Sequence, residues 1–298
     1  MRHKETFVVI ILSGIVSSLV LGISSSDLYQ SFFIPVVSFD LSSSSLHSTL
    51  VFAQSTDEPV LRFSDEIGNP VFNVPGFTAE VVAEGLALPT TMAFLSQNDI
   101  LVLEKDKGTV MRVIDGEVQP EPLLDVNVAT EVERCMCGIA ISQNNETGKT
   151  DVFLYYTEAE GQDRGTPIAN RLYKYELASS GGDGGGASNS TNSTFMSARL
   201  INPQLLLDLP ALPGPRHNGG AIIIGPDGNI YVPIGDADKV EDETQAQNEP
   251  DFPADGTSGI LRVTQNGEPV VDSAAGEYIL GDSYPLNLYY AYGIPILN

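Results

Sequence analysis

One pattern, returning three times between Thr91 and Val270, limits what this chain can fold into. "TMAFL" (Thr91 to Leu95), "DILVLE" (Asp99 to Glu104) and "TVMRVIDGEV" (Thr109 to Val118) set short apolar strands between turns. "CGIAIS" (Cys137 to Ser142), "DVFLYY" (Asp151 to Tyr156) and "NRLYKYEL" (Asn170 to Leu177) read as a middle copy. "GGAIIIG" (Gly219 to Gly225), "NIYVPIGD" (Asn229 to Asp236) and "GILRVTQNGEPV" (Gly259 to Val270) read as the third. Asp115-Gly116 and Asn266-Gly267 are hairpin signals, because these residues accept the positive backbone angles of tight turns. No stretch holds helical periodicity for more than a turn or two. The pattern predicts an all-β fold of repeated four-stranded antiparallel units, the blades of a β-propeller; a two-sheet sandwich is the alternative for the same strands. "SSGGDGGGASNSTNST" (Ser179 to Thr194) is expected to be a flexible surface insertion between the second and third copies.

The N-terminus reads as an export signal. Arg2, His3 and Lys4 precede an apolar run from Phe7 to Ile23, followed by serine-rich segments and "VFAQS" near Ala53. The run sits at the lower edge of spanning length, so a cleaved signal and an uncleaved membrane anchor through residues 7–23 both remain open. Residues 1–55 are thus set apart as a signal peptide or anchor, 56–75 as a linker or outer-strand segment, and 76–298 as the propeller domain. The protein is expected outside the cell or at its surface, and three sequons at Asn145, Asn189 and Asn192 agree with this.

The formal net charge of −24 repels nucleic acid and anionic lipid headgroups, so neither is an expected partner. It suits a neutral or cationic small ligand, or a divalent cation, and it also serves simple solubility. Cys135 and Cys137, two apart, are read as small buried hydrophobes, since a disulfide between them would be strained and a metal would lack further soft ligands. "GDADKVEDETQ" (Gly235 to Gln245) is rich in carboxylates but lacks the ordered ligand spacing of an EF-hand, and reads as an exposed acidic loop. No metal ligands are assigned.

Taken in order, "GLALPTTMAFL", "ILVLEKDKGTVMRV", "PLLDV", "ERCMCGIAI", "FLYYT", "NRLYKYEL", "RHNGG", "GPDGNIYVPIGD", "GILRV" and "YAYGI" resemble the soluble glucose/sorbosone dehydrogenases. The resemblance runs from about Gly76 to Ile294 and is most specific in "HNGG" and "GPDGNIYVPIGD". It implies a six-bladed propeller that oxidises aldoses with pyrroloquinoline quinone and calcium. It also implies roles for four residues. His217 would be the base that takes the proton of the sugar's anomeric hydroxyl, a task suited to an imidazole whose unperturbed pKa is near ~6.5. Asp236 would orient that imidazole and stabilise its protonated form. Glu133, in "ERCMCG" where the family has "ERGLLG", and Asn218, beside the histidine, would lie at the sugar and quinone. Apart from the resemblance, a solitary histidine at a strand edge reads more simply as a structural hydrogen-bonder, and Glu133 as a solvated loop carboxylate.

The resemblance also marks departures. Pro295 stands where the family has a quinone-contacting arginine, and the later cationic and calcium-binding stretches have no counterpart before Asn298. Residues 76–298 would hold three blades and the start of a fourth, an incomplete propeller expected to be inactive and to bind neither quinone nor calcium on its own. Two readings of function follow. One is an exported quinone-dependent aldose dehydrogenase represented by its N-terminal half. The other is a non-catalytic exported propeller serving as a binding or interaction module. A lactone hydrolase on a similar propeller would need several converging metal ligands, and one histidine beyond residue 47 does not supply them.

Overall fold

The computed structural model of the chain describes residues 10–14, 61–62, 71–72, 77–144, 146–178, 198–239, 254–271 and 276–292. Most of the apolar N-terminal run, all three sequon asparagines, the Gly/Ser-rich segment, the acidic loop beyond Lys239 and Pro295 lie outside these residues. The chain divides into two units, Met1–Gly85 and Leu86–Asn298. The first contains β1 (Ile10–Gly14), β2 (Leu61–Arg62), β3 (Val71–Phe72) and β4 (Phe77–Val81). β1 pairs antiparallel with β4, and β2 with β3. No helix among the described residues is long and apolar enough to cross a membrane.

The second unit is a succession of three antiparallel sheets. The first is β5 (Pro89–Ser96), β6 (Asp99–Glu104), β7 (Thr109–Ile114) and β8 (Glu117–Val118), with β9 (Leu124–Asp125) on the far end of β7. Asp115 and Gly116 close the β7–β8 hairpin with φ of 49° and 83°, as a two-residue turn that follows the strand twist requires. Pro120 and Pro122 lie between β8 and β9 and cannot donate to a ladder, which is why this outer edge is made of two short pieces.

The second sheet is β10 (Met136–Gln143), β11 (Thr150–Ala159), β12 (Pro167–Ala178) and β13 (Arg199–Leu209), in that order. The expectation that residues 179–194 separate two repeats is corrected here. β13 pairs with β12, so this segment joins the third and fourth strands of one blade. A hairpin between outer strands opens to solvent, and lengthening it adds closure entropy only slowly. β13 escapes notice in the sequence because "RLINPQLLLDL" carries an internal Asn-Pro and no regular alternation.

The third sheet is β14 (Ile223–Ile224), β15 (Ile230–Ile234), β16 (Gly259–Val263) and β17 (Tyr289–Tyr292), the last preceded by a 3-10 turn at Leu286–Leu288. Two expectations change. The inner strand is two residues long rather than the seven of "GGAIIIG", and the stretch after Asn266-Gly267 makes a single bridge, Val263 to Pro269, rather than a strand. Pro269 has no N–H with which to continue the ladder, and Tyr289–Tyr292 takes the outer place instead.

Burial follows from this arrangement. Along β11, Val152, Leu154 and Tyr156 join Leu101, Leu103 and Val110 of the first sheet in one core, while Phe153 and Tyr155 join Ile230, Val232 and Ile234 of the third sheet in another. A strand buried on both faces reads as a continuous apolar run, which is what "VFLYY" is. The innermost strands meet in sequence, β5 with β10 and β10 with β14, as successive blades do around a common axis. The fold is therefore all-β, with three consecutive propeller blades among the described residues.

Candidate active site

The connection from β13 to β14, residues 210–222, carries His217, and the residues just after β15 carry Asp236. His217 has φ of 57°, a left-handed conformation unusual for any residue but glycine, so its surroundings must hold it there. That conformation turns the imidazole toward Asp236, and Nδ1 lies 2.8 Å from Asp236 Oδ1. The same Oδ1 accepts the Asp238 N–H at 3.0 Å, which fixes the carboxylate at the strand end. Gly235 is required beside the pair, because a Cβ there would come within 2.6 Å of His217 Cβ. Gly219, at φ of 78°, lets the chain leave the histidine over Pro233, whose carbonyl would lie 2.7 Å from any Cβ.

An ionised carboxylate only accepts hydrogen bonds, so a bond to Asp236 makes Nδ1 the donor, and in a neutral imidazole Nε2 then presents the lone pair. The side chains of His217 and Asp236 are 28% and 24% exposed, which leaves the imidazole within reach of a ligand. This is the arrangement of a base and its orienter.

Glu133 comes to the same place from the loop before β10. Its Oε2 accepts the His217 backbone N–H at 2.6 Å, and its own N–H donates to Pro215 O at 3.3 Å. The structure brings His217, Asp236 and Glu133 together. Asn218 takes a different place from the one expected. It is 1% exposed, its Nδ2 donates to Gly214 O and Arg216 O, and its Oδ1 accepts from Asn170 Nδ2 at 2.8 Å. Both ends of its amide are thus engaged within the protein, facing the second blade. Tyr155, whose phenol burial pushes up to stay a neutral donor, bonds Asn218 O at 2.7 Å.

The structure brings the sulfurs of Cys135 and Cys137 into contact, where the sequence reading expected two separate small hydrophobes. The register of β10 slips between Met136 and Gly138, and this bulge brings the two Cα atoms to 5.3 Å, inside the range a disulfide spans. Cys137 Cβ lies against Gly220, so the cysteine pair borders the histidine turn.

Sequence reasoning missed Arg134, Tyr155 and Asn170, which support the site from the second blade. A signal exists for Arg134 alone: a charged residue between Glu133 and an otherwise apolar strand. Among the described residues no three His, Cys, Asp or Glu side chains converge to hold a metal. Arg216 and Lys239, the cations flanking the pair in sequence, face Asp238 at 3.5 Å and Asp255 at 2.7 Å respectively.

Comparison with known proteins gives the site a lineage. A putative-oxidoreductase structure from Thermus thermophilus, described as a glucose dehydrogenase, is 25% identical, covers 72% of this chain and 54% of its own, and superposes with a TM-score of 0.50. The PQQ-bound aldose sugar dehydrogenase of Streptomyces coelicolor is 26% identical over 63% of this chain and 48% of that one, with a TM-score of 0.46. An uncharacterised protein of Synechocystis is 25% identical over 209 residues, 67% of this chain and 46% of the relative. The chain spans about half the length of these relatives. The profile of the glucose/sorbosone dehydrogenases matches residues 86–279, which takes in all of His217, Asp236 and Glu133, and the chain belongs to that family.

Proposed function

We propose that this protein oxidises an aldose sugar at its anomeric hydroxyl, with His217 as the base. His217 Nε2 takes the hydroxyl proton, Asp236 steadies the imidazolium through Nδ1, and the hydride leaving the same carbon passes to a two-electron acceptor of the quinone class, which the described residues do not themselves hold, to give the lactone. The observation that carries the reading is the 2.8 Å contact between His217 and Asp236, in a segment matched to a dehydrogenase family. Export, inferred from the N-terminal segment, would place the reaction outside the cytoplasm, and a neutral sugar suits the strongly acidic chain.

For the hydride acceptor, the sequence resemblance names pyrroloquinoline quinone with calcium. The residues described beside His217 do not fit that group. A quinone bearing several carboxylates needs cations, whereas Glu133, Asp236 and Asp238 surround the histidine and the adjacent Arg216 and Lys239 face carboxylates of their own. The chain by itself is therefore expected to bind neither quinone nor calcium. This shortage of cations also favours the second reading, a non-catalytic binding module.

Two arms separate these readings. Incubated alone with pyrroloquinoline quinone, calcium and aldose, the chain should show no saturable quinone binding by fluorescence and no dye reduction; micromolar binding with turnover would overturn the cofactor reading. Grafted in place of the matching blades of a family enzyme, residues 86–292 should restore aldose-dependent dye reduction. His217→Ala should then lower it by about two to four orders of magnitude. A graft that folds but stays inactive supports the binding module, and turnover indifferent to His217 removes it as the base.

A further inference from the structure

The turn that carries His217 is held from an unexpected side. Arg134 is a buried arginine, its side chain 3% exposed, reaching across the sequence from the start of the second blade. Its Nη2 donates to Ala211 O at 2.5 Å and to Gly214 O at 2.9 Å, two carbonyls of the stretch leading into the histidine. The opposite face of that stretch is also fixed. Gly214 N–H donates to Ala237 O at 2.9 Å, and Asn218 Nδ2 reaches back to Gly214 O at 3.1 Å. Gly214 also packs against the Asp238 side chain so closely that a Cβ would collide with it.

A buried guanidinium is costly to desolvate, and burial lowers the pKa of Arg134 against the opposing pull of Glu131 and Asp238. Its carboxylate partner Glu131, at 3.4 Å, is a side chain that is mostly exposed. The arginine is thus engaged chiefly with backbone carbonyls. Its neighbour Glu133 completes the hold by accepting the His217 N–H. Two residues of one short loop therefore grip the histidine turn at four points, the carbonyls of Ala211, Gly214 and Pro215 and the N–H of His217.

We propose that Arg134 is the positioning residue of the candidate base: by pinning Ala211 and Gly214 it keeps His217 in the left-handed conformation that aims its imidazole at Asp236. The assignment rests on the reading of His217 as the base. A left-handed histidine persists only where its surroundings over-determine it, and an orienter works only if the ring stays within hydrogen-bond reach. Arg134 touches neither imidazole nor Asp236; it acts through the turn.

The test uses the full chain labelled with 15N-histidine. His3 and His47 are the only other histidines, so His3→Gln and His47→Gln assign the remaining signals to His217. Its backbone N–H reports the contact to Glu133, and its imidazole nitrogens report the contact to Asp236. Arg134→Met should raise the exchange rate of the His217 amide by about tenfold or more and move the Nδ1 resonance toward that of a free imidazole. Arg134→Lys keeps the charge but ends one atom short of Nη2, the nitrogen that meets both carbonyls, and should fall between the two. Arg112→Met, which breaks the Arg112–Asp99 pair of the first sheet, supplies a control of general destabilisation and should leave both signals in place. If Arg134→Met does not fold, Arg134→Lys carries the test alone. Unchanged His217 signals in a folded Arg134 variant, or equal changes in the Arg112 control, would overturn the proposal. Whether His217 is the base is decided separately by His217→Ala in the graft, so failure of one idea is distinguishable from failure of the other.

Discussion

The second and third blades share a strand order and little else. Strands β10 to β13 run 8, 10, 12 and 11 residues, whereas β14 to β17 run 2, 5, 5 and 4. The second blade is covered on both faces by its neighbours and needs long apolar strands to fill two cores. The third gives up ladder length to loops, and those loops hold His217 and Asp236. The candidate site sits on the irregular blade, and the regular one braces it. Tyr155 and Asn170 project from β11 and β12 to Asn218, and Arg134, just before β10, holds Ala211 and Gly214.

This division of labour can be broken at graded strength. The largest effect is expected at Phe153, fully buried between the two blades. Phe153→Ala should destabilise the protein by about 3–5 kcal/mol in urea unfolding. A cost below about 1 kcal/mol would mean that the second blade does not carry the third.

Asn170 tests the polar part of the link. Its Oδ1 accepts from Thr157 Oγ1 at 2.6 Å, while its Nδ2 donates to Asn218 Oδ1 and to Pro210 O, both at 2.8 Å. Asn170→Ala leaves these buried partners unpaired and should cost about 1–3 kcal/mol. It should also speed amide exchange at Asn218 more than in β11. Equal acceleration in both places would show that the network belongs to the second blade alone.

The smallest effect should come from deleting Gly181 to Ser193, in the connection between β12 and β13. Shortening a hairpin loop changes closure entropy only logarithmically, so stability should shift by less than about 1 kcal/mol. Loss of folding would mean that these residues support the outer edge of the blade.

What could be read from the residues follows from the range of the forces involved. Strand alternation, the Asp115-Gly116 turn and the apolar strand "DVFLYY" are local signals, and each appears in the structure where expected, though the burial of that strand on both faces emerges only from the packing. The pairing of His217 with Asp236 was reachable only through family resemblance. Glu133 was placed near the site by the same route, but its bond to the histidine backbone was not foreseen.

The errors have a common cause. β13 carries no strand pattern of its own, so that residues 179–194 read as lying between repeats, because the outer strand of a blade is recruited by its neighbour's free edge more than by its own pattern. The same holds for Tyr289–Tyr292, which occupies an edge that Glu268-Pro269-Val270 could not.

The sequence by itself determined the all-β class, the repeat and the residue types available for proton transfer, since alternation and turn chemistry act over a few neighbouring residues. Only the tertiary structure decided which of them meet. The left-handed turn at His217 and the reach of Arg134 across 77 residues to Ala211 depend on two blades packing together. No local pattern encodes a contact whose partners are brought near only by the burial of a shared core.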